Sequence, residues 1–253
     1  MPWRQPGPAG TYDPYAILVS ELMLQQTQVG RVIPKYRVFM ERFPDAVSLA
    51  SAPLADVLRL WSGLGYNRRA KYLWRAAGII QERWGGVMPA AVEELVALPG
   101  VGRNTAGAVV AYAFNKPVVF VETNIRTVFI HHCFPSVSSV DDRQLVPLIA
   151  ATLPDGSDEH ASVREWYWAL MDYGAYLKQQ IGNVSRRSKQ YTRQSPFEGS
   201  RRQIRGEVLR LLGQRPLTVA QLRISIEDPR LPEVLDALMA EEMIRLSDGV
   251  YCL

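Results

Sequence analysis

The chain has 253 residues, 47% of them apolar and 21% charged, enough for a large core plus a small second module, and too apolar for a disordered chain. Its net charge of +4 and pI of about 9.1 are compatible with nucleic acid as a partner. Its two cysteines, Cys133 and Cys252, exclude a disulfide framework, a zinc knuckle and a four-cysteine iron–sulfur site.

The chain opens on MPWRQPGPAGTYDP, Pro/Gly-rich and without the apolar run of a signal peptide; no membrane span follows. The expectation is a reduced, cytoplasmic protein with no membrane partner. From Tyr15 to Ala113 apolar residues recur at helical spacing, punctuated by Pro and Gly. AILVSELMLQ reads as one helix and RVIPKYRVFMERF as another. PLADVLRLWSGLG opens on a proline and closes at Gly63 and Gly65, and AKYLWRAAGIIQERWGG ends on a glycine pair. AAVEELVALPGVGRNTAGAVVAYAF reads as two helices joined by a glycine-containing turn. PVVFVE fits a short strand or a buried connection. VREWYWALMDYGAYL, Val163–Leu177, is an apolar and aromatic helix.

The composition changes after Ile181. NVSRRSKQYTRQSPFEGS is basic, without apolar periodicity, and reads as a solvated linker. QIRGEVLRLLGQ, LTVAQLRISI and PEVLDALMAEEMI then form three short helices, and IRLSDGVYCL two strands around Asp248-Gly249. Three helices and a hairpin outline a winged helix, with a small docking domain as the alternative.

Leu98-Pro99-Gly100-Val101-Gly102 is the most informative turn. Its glycines reach conformations barred to other residues and let another backbone approach, while Val101 plugs the gap between the helices. The amides opening the next helix point outward at the positive end of its dipole, with Arg103 beside them. Such a turn either grips a nucleic-acid backbone without reading sequence or is an ordinary helix–helix turn.

LPGVGRNTAG resembles the helix–hairpin–helix of the DNA glycosylase superfamily that includes endonuclease III. SELMLQQTQVGRVIPKY and LWSGLGYNRRA resemble its MutY-like adenine glycosylase branch. The likeness runs from about Tyr15 to Leu177. It implies a mainly α fold of two helical lobes with the hairpin at the cleft mouth. With the tail, the expected organisation is a glycosylase domain over residues 1–182, a basic linker over 183–200 and a winged-helix-like domain over 201–253. The implied partner is double-stranded DNA with one base flipped into the cleft, bound by a monomer at the nucleoid.

Breaking an N-glycosidic bond takes a proton for the leaving base and a carboxylate for the sugar cation. Glu21 sits within the apolar helix ILVSELML, where partial desolvation raises its pKa and suits a general acid. In MutY-like enzymes the matching glutamate protonates adenine. Glu122 ends the apolar PVVFV stretch, at the position of the superfamily's catalytic aspartate. Its extra methylene moves the carboxylate by about 1.5 Å, and shifts of about 1 Å can cost on the order of a hundredfold in rate. The plainer alternative for Glu122 is a charge at the start of the next helix. The resemblance to MutY-like sequences implies that Asn124, two residues on, orients that carboxylate. Asn104 stands where lyases of the endonuclease III type carry their Schiff-base lysine, and an amide cannot form an imine.

Gln25 and Gln26 match glutamines that enter the DNA stack, and Tyr66 matches the first of a tyrosine pair whose second member is here Asn67. The resemblance also implies a cysteine-rich cluster loop after the helix ending near Leu177. No cysteine lies there, so no cofactor and no metal are expected, and Arg186, Arg187 and Lys189 are candidates to supply DNA-backbone charge instead. Candidate DNA contacts are therefore Gln25, Gln26, Tyr66, Asn67, Leu98, Gly100, Val101, Gly102, Arg103, Asn104, Arg186, Arg187 and Lys189; candidate catalytic groups are Glu21, Glu122 and Asn124. The reading is a monofunctional DNA N-glycosylase of base excision repair, acting on adenine in a mispair or on a mismatched or modified pyrimidine. The competing class is a DNA-binding protein with weak or no catalysis that recognises distorted duplex.

Overall fold

The computed structural model of the chain describes residues 1–8, 10–155 and 162–253. After a 3₁₀ turn at Pro2–Arg4, helices run α1 (Pro14–Leu24), α2 (Val29–Arg42), α3 (Ala46–Ala50), α4 (Leu54–Trp61), α5 (Arg68–Trp84), α6 (Val92–Val96) and α7 (Arg103–Phe114). They continue with α8 (Thr123–Cys133), α9 (Asp142–Thr152) and α10 (Val163–Ile181). The tail holds α11 (Arg201–Leu212), strand β1 (Leu217–Thr218), α12 (Val219–Ser225), α13 (Leu231–Ala240), β2 (Arg245–Ser247) and β3 (Val250–Cys252).

The helix α1 is apolar almost all round: Ile17, Leu18, Val19, Leu22 and Met23 are all buried. Such a helix belongs in the middle of a fold, and it packs on α2, α5 and α7. Asp13 caps its start by accepting the Tyr15 amide, and Pro14 opens its first turn. One lobe gathers α2 to α6 around Phe39, Phe43 and Trp61, whose rings meet edge to face. The other pairs α8 with α10 and α9. Between them Phe120 stacks on Tyr167 at 4.3 Å and Tyr112 meets both rings edge-on.

The tail forms the winged-helix-like module its pattern suggested. Ile204, Val208, Leu212, Leu222, Val234, Leu235 and Leu238 make its core. The wing turns at Asp248 and Gly249, with φ of 52° and 75°, as a two-residue hairpin requires. A third strand completes the sheet in the order β1-β3-β2, Leu217 pairing with Tyr251. Two residues are too few to show an alternating pattern, so sequence periodicity missed it.

Two expectations change. PVVFVE is a buried connection rather than a strand: Phe120 and Val121 are buried, and their stretch makes no strand pairing. Residues 183–200 are not simply solvated. Ser185 and Ser188 are buried, and Ser188 forms a parallel bridge with Val140 through Val140 N–H to the Arg187 carbonyl (2.8 Å) and Lys189 N–H to the Val140 carbonyl (2.9 Å). Composition conveys net polarity, and a single backbone bridge suffices to dock a polar segment.

Candidate active site

Glu21 lies on the third turn of α1, one residue after the buried Ser20. It retains partial solvent access, yet protein surrounds it on most sides. Desolvation pushes its pKa up to about 8; the nearby Glu122 charge adds to this and the Arg4 guanidinium opposes it. Arg4 is fixed by Asp172, which accepts from it at 2.8 and 2.9 Å, and by the Trp168 ring beneath it.

Glu122 is the N-cap of α8, and its Oε2 accepts the Asn124 N–H at 2.6 Å. Burial raises its pKa overall, and the Asn124 amide, the Lys178 ammonium, the Thr123 amide and Arg126 offset part of that rise. Glu21 therefore holds its proton against a neighbouring charge, whereas Glu122 has donors and cations that stabilise its ionised form. Glu122 caps a helix, and it lies half-buried near a second carboxyl group. Asn124 contacts it through the backbone amide; the Asn124 side chain instead accepts from Lys178 Nζ at 2.6 Å.

The turn between α6 and α7 needs only one of its two glycines: Gly102 has an ordinary extended backbone (φ −86°) with open space where a Cβ would stand. Gly100 has φ of 77°, and a Cβ there would sit 2.8 Å from the Tyr72 side chain. Leu98 and Val101 are buried, so the turn presents backbone rather than side chains, while Gly102, Arg103 and Asn104 are exposed at the start of α7. Asn104 donates to the Val121 carbonyl at 2.9 Å and accepts the Val121 N–H at 3.4 Å, tying the turn to the approach of Glu122.

A third cluster follows α1. Gln25 Nε2 donates to Thr105 Oγ1 at 3.3 Å, and Gln26 is exposed with φ of 55°. Tyr66, with φ of 47°, and Asn67 face them across a cleft of about 460 Å³. Sequence reasoning passed over the residue that holds both loops. Arg69 is buried and donates to the carbonyls of Leu22 (2.8 Å), Met23 (3.0 Å), Leu64 (3.2 Å) and Gly65 (2.9 Å). Burial lowers its pKa to about 10. Arg202 was also missed: from the tail it donates to Tyr66 Oη, which also accepts from Gln194 at 2.6 Å. Neither residue stands out in a chain with 29 Lys and Arg.

Residues 19–144 match the family of HhH-GPD superfamily base excision DNA repair proteins. Aligned over its full length, the chain is 33% identical to the adenine DNA glycosylase of Mycolicibacterium smegmatis, covering 90% of that protein. The chain belongs to the HhH-GPD superfamily. Its general activity is that of a DNA glycosylase of base excision repair. A thermostable thymine-DNA glycosylase shares its fold with a TM-score of 0.59 and 27% identity, over 69% of this chain and 77% of that one. An endonuclease III solved in a non-covalent DNA complex shares the fold at a TM-score of 0.54 and 20% identity, over 73% and 78% of the two chains.

The segment after α10 is polar and basic. Arg186 and Lys189 are exposed, but Arg187 turns inward and donates to the Phe134 and Val137 carbonyls, so its guanidinium braces the end of α8. The donor set does not fit a four-thiolate cluster. Cys133 closes α8 and Cys252 lies in the last strand of the tail, and the segment between α10 and α11 holds Ser and Arg in place of thiols.

Proposed function

We propose that the chain is a monofunctional glycosylase that removes adenine from a mispair. The observation carrying this reading is a pair of neighbouring carboxyl groups in unlike surroundings: desolvation and the Glu122 charge push the Glu21 pKa up to about 8, while Glu122, although burial raises its pKa too, accepts the Asn124 N–H and has the Lys178 ammonium nearby to favour its ionised form. With the base flipped into the cleft, the Glu21 proton moves to a ring nitrogen of adenine. The bond from the sugar C1′ to the base nitrogen breaks, and adenine leaves with that electron pair. The Glu122 carboxylate faces the sugar cation until water adds at C1′ and passes its proton to that carboxylate, leaving an abasic site. Outward amides at Gly102–Asn104 hold a phosphate, and Gln25, Gln26 and Tyr66 meet the duplex at the gap. Asn104 offers no amine where an imine-forming lysine would stand, which supports excision without cutting of the strand. The residues present serve this chemistry without a cluster or metal.

A mismatched pyrimidine is the second reading, favoured by the likeness to a thymine-DNA glycosylase. The test is excision from duplexes carrying A opposite 8-oxoguanine, A:G, T:G, U:G or hypoxanthine, read as alkali-labile sites. The adenine duplexes are expected to be cut, and Glu21→Gln and Glu122→Gln each to abolish it. Preference for T:G or U:G would move the assignment to the pyrimidine. Tight binding without cutting of any duplex would identify a binding module.

A further inference from the structure

The face of α10 that packs on α8 is apolar at Tyr167 and Leu177 and bare at Gly174. At Gly174 a Cβ would lie 2.2 Å from the Asn124 carbonyl oxygen, so only glycine allows the helices this close. One turn later, on the same face, stands a lysine. A lysine at such a seam normally extends its ammonium to water. Lys178 instead turns toward the site and donates to Asn124 Oδ1 at 2.6 Å, while the Asn124 backbone holds Glu122 at 2.6 Å.

We propose that Lys178 is a positioning residue of the excision reaction: it fixes Asn124 beside Glu122 and supplies a positive charge that favours the carboxylate form of this side chain. The assignment rests on the two-carboxylate reading above. The groups facing Glu122 come from four helices. Glu21 on α1 is held protonated, and Tyr112 on α7 stays neutral because burial drives its hydroxyl pKa well above the ordinary value. Arg126, on α8 itself, is committed to Asp142 of α9 by bonds of 2.8 and 2.7 Å. Lys178 on α10 makes its bond to a neutral amide, so its charge is left to act on Glu122. The two are reciprocal: burial lowers the lysine's pKa, and Glu122 raises it in return. Asn124 then has two jobs, its backbone gripping the carboxylate and its side chain anchored by the ammonium.

The ionised Glu122 and the protonated Glu21 define a pH window of activity. Removing the ammonium raises the Glu122 pKa and narrows that window from the acid side. The experiment measures single-turnover excision from about pH 5 to about pH 9 for Lys178→Gln, Lys178→Met, Lys178→Arg and Glu122→Gln, with duplex affinity measured in parallel. The Gln variant keeps a donor for Asn124 and covers the case in which the Met variant does not fold. Both neutral variants are expected to lose on the order of ten- to a hundredfold in rate at neutral pH. Their acidic limb should shift to higher pH, their duplex affinity hold, and Lys178→Arg recover most of the rate. A Lys178→Gln enzyme with the wild-type rate and acidic limb overturns the assignment. So does a loss that Arg does not rescue and that leaves the limb in place. Borohydride trapping of wild type on abasic DNA, absent from Lys178→Gln, would make the lysine a nucleophile instead. If any of these occurs while Glu122→Gln is dead, the two-carboxylate reading stands and only the role of Lys178 falls. An active Glu122→Gln brings down both.

Discussion

Asn104 clasps the backbone of Val121 from both directions, donating to its carbonyl at 2.9 Å and accepting its N–H at 3.4 Å. The first turn of α7 is thereby latched to the residue before Glu122. A nucleic-acid phosphate held at that turn and a carboxylate at the sugar would be kept at a fixed separation by this one side chain.

Replacing Asn104 with Ala should therefore affect rate more than affinity. Losing a partly exposed pair of neutral hydrogen bonds costs about 1 kcal/mol of stability, while the carboxylate gains freedom where about 1 Å matters. A denaturant titration should show the small stability loss. Single-turnover excision should fall at least tenfold, with the duplex dissociation constant moving less than threefold. Equal losses in rate and affinity would show that Asn104 acts on DNA directly.

Glu21 gives a pH signature in both activity and stability. As the proton donor it must be protonated, so excision should fall as pH rises through about 8. For stability, its folded pKa lies above the 4.5 of an ordinary glutamate. The folded state thus binds the proton more tightly, and this contribution is present in full below about pH 4.5 and lost as pH rises through about 8. Glu21→Gln removes that dependence. Its thermal unfolding should exceed wild type by on the order of 2 kcal/mol at about pH 9, with little difference at about pH 4. Parallel stability curves across this range would mean that Glu21 titrates normally.

The length of Glu122 can be separated from its role as a cap. Asp is among the best N-cap residues, so Glu122→Asp should preserve the bond to the Asn124 amide and leave stability within about 0.5 kcal/mol. Its carboxylate, however, is drawn back by about 1.5 Å. We expect a ten- to hundredfold slower excision from a fully folded enzyme. Unchanged or faster excision would show that the site takes either side chain.

Much of this was readable in the sequence because the signals are local. Glycine spacing marked the Gly100 turn, an acid inside an apolar run marked Glu21, and Asp248-Gly249 marked the wing. Lys178 escaped because its partner is 54 residues away, and a lysine at the end of a helix looks like any solvated charge. Arg69 escaped for the same reason: six backbone carbonyls, from the end of α1 and the loops beside it, converge on it, and carbonyl directions are not written in residue types. The docking of the tail is likewise tertiary. Complementary charges lie in α5 and after α13, and neither pattern names the other.

That docking leads to the last prediction. Glu241 follows α13, and its carboxylate accepts from Arg205 of α11 at 2.9 and 2.6 Å and from Arg68 of α5 at 2.7 Å. Arg205 holds the acid in place within the tail, and Arg68 joins it to the glycosylase body. Beside it Lys71 donates to Glu242 at 2.7 Å, and Arg59 donates to the Gly213 carbonyl at 3.0 Å. Glu241 and Arg205 are largely shielded, with side chains 17% and 18% exposed, so removing the acid leaves a partly buried cation unpaired. Glu241→Ala should cost about 1–3 kcal/mol and loosen the tail from the body before the body unfolds. Because Arg202 of the same module bonds Tyr66, the Tyr66–Asn67 loop should loosen with it. Limited proteolysis should then cut between residues 183 and 200 sooner than in wild type, and duplex affinity should fall while Glu21 still titrates near 8. Wild-type proteolysis and affinity in Glu241→Ala would mean that apolar contacts alone seat the module.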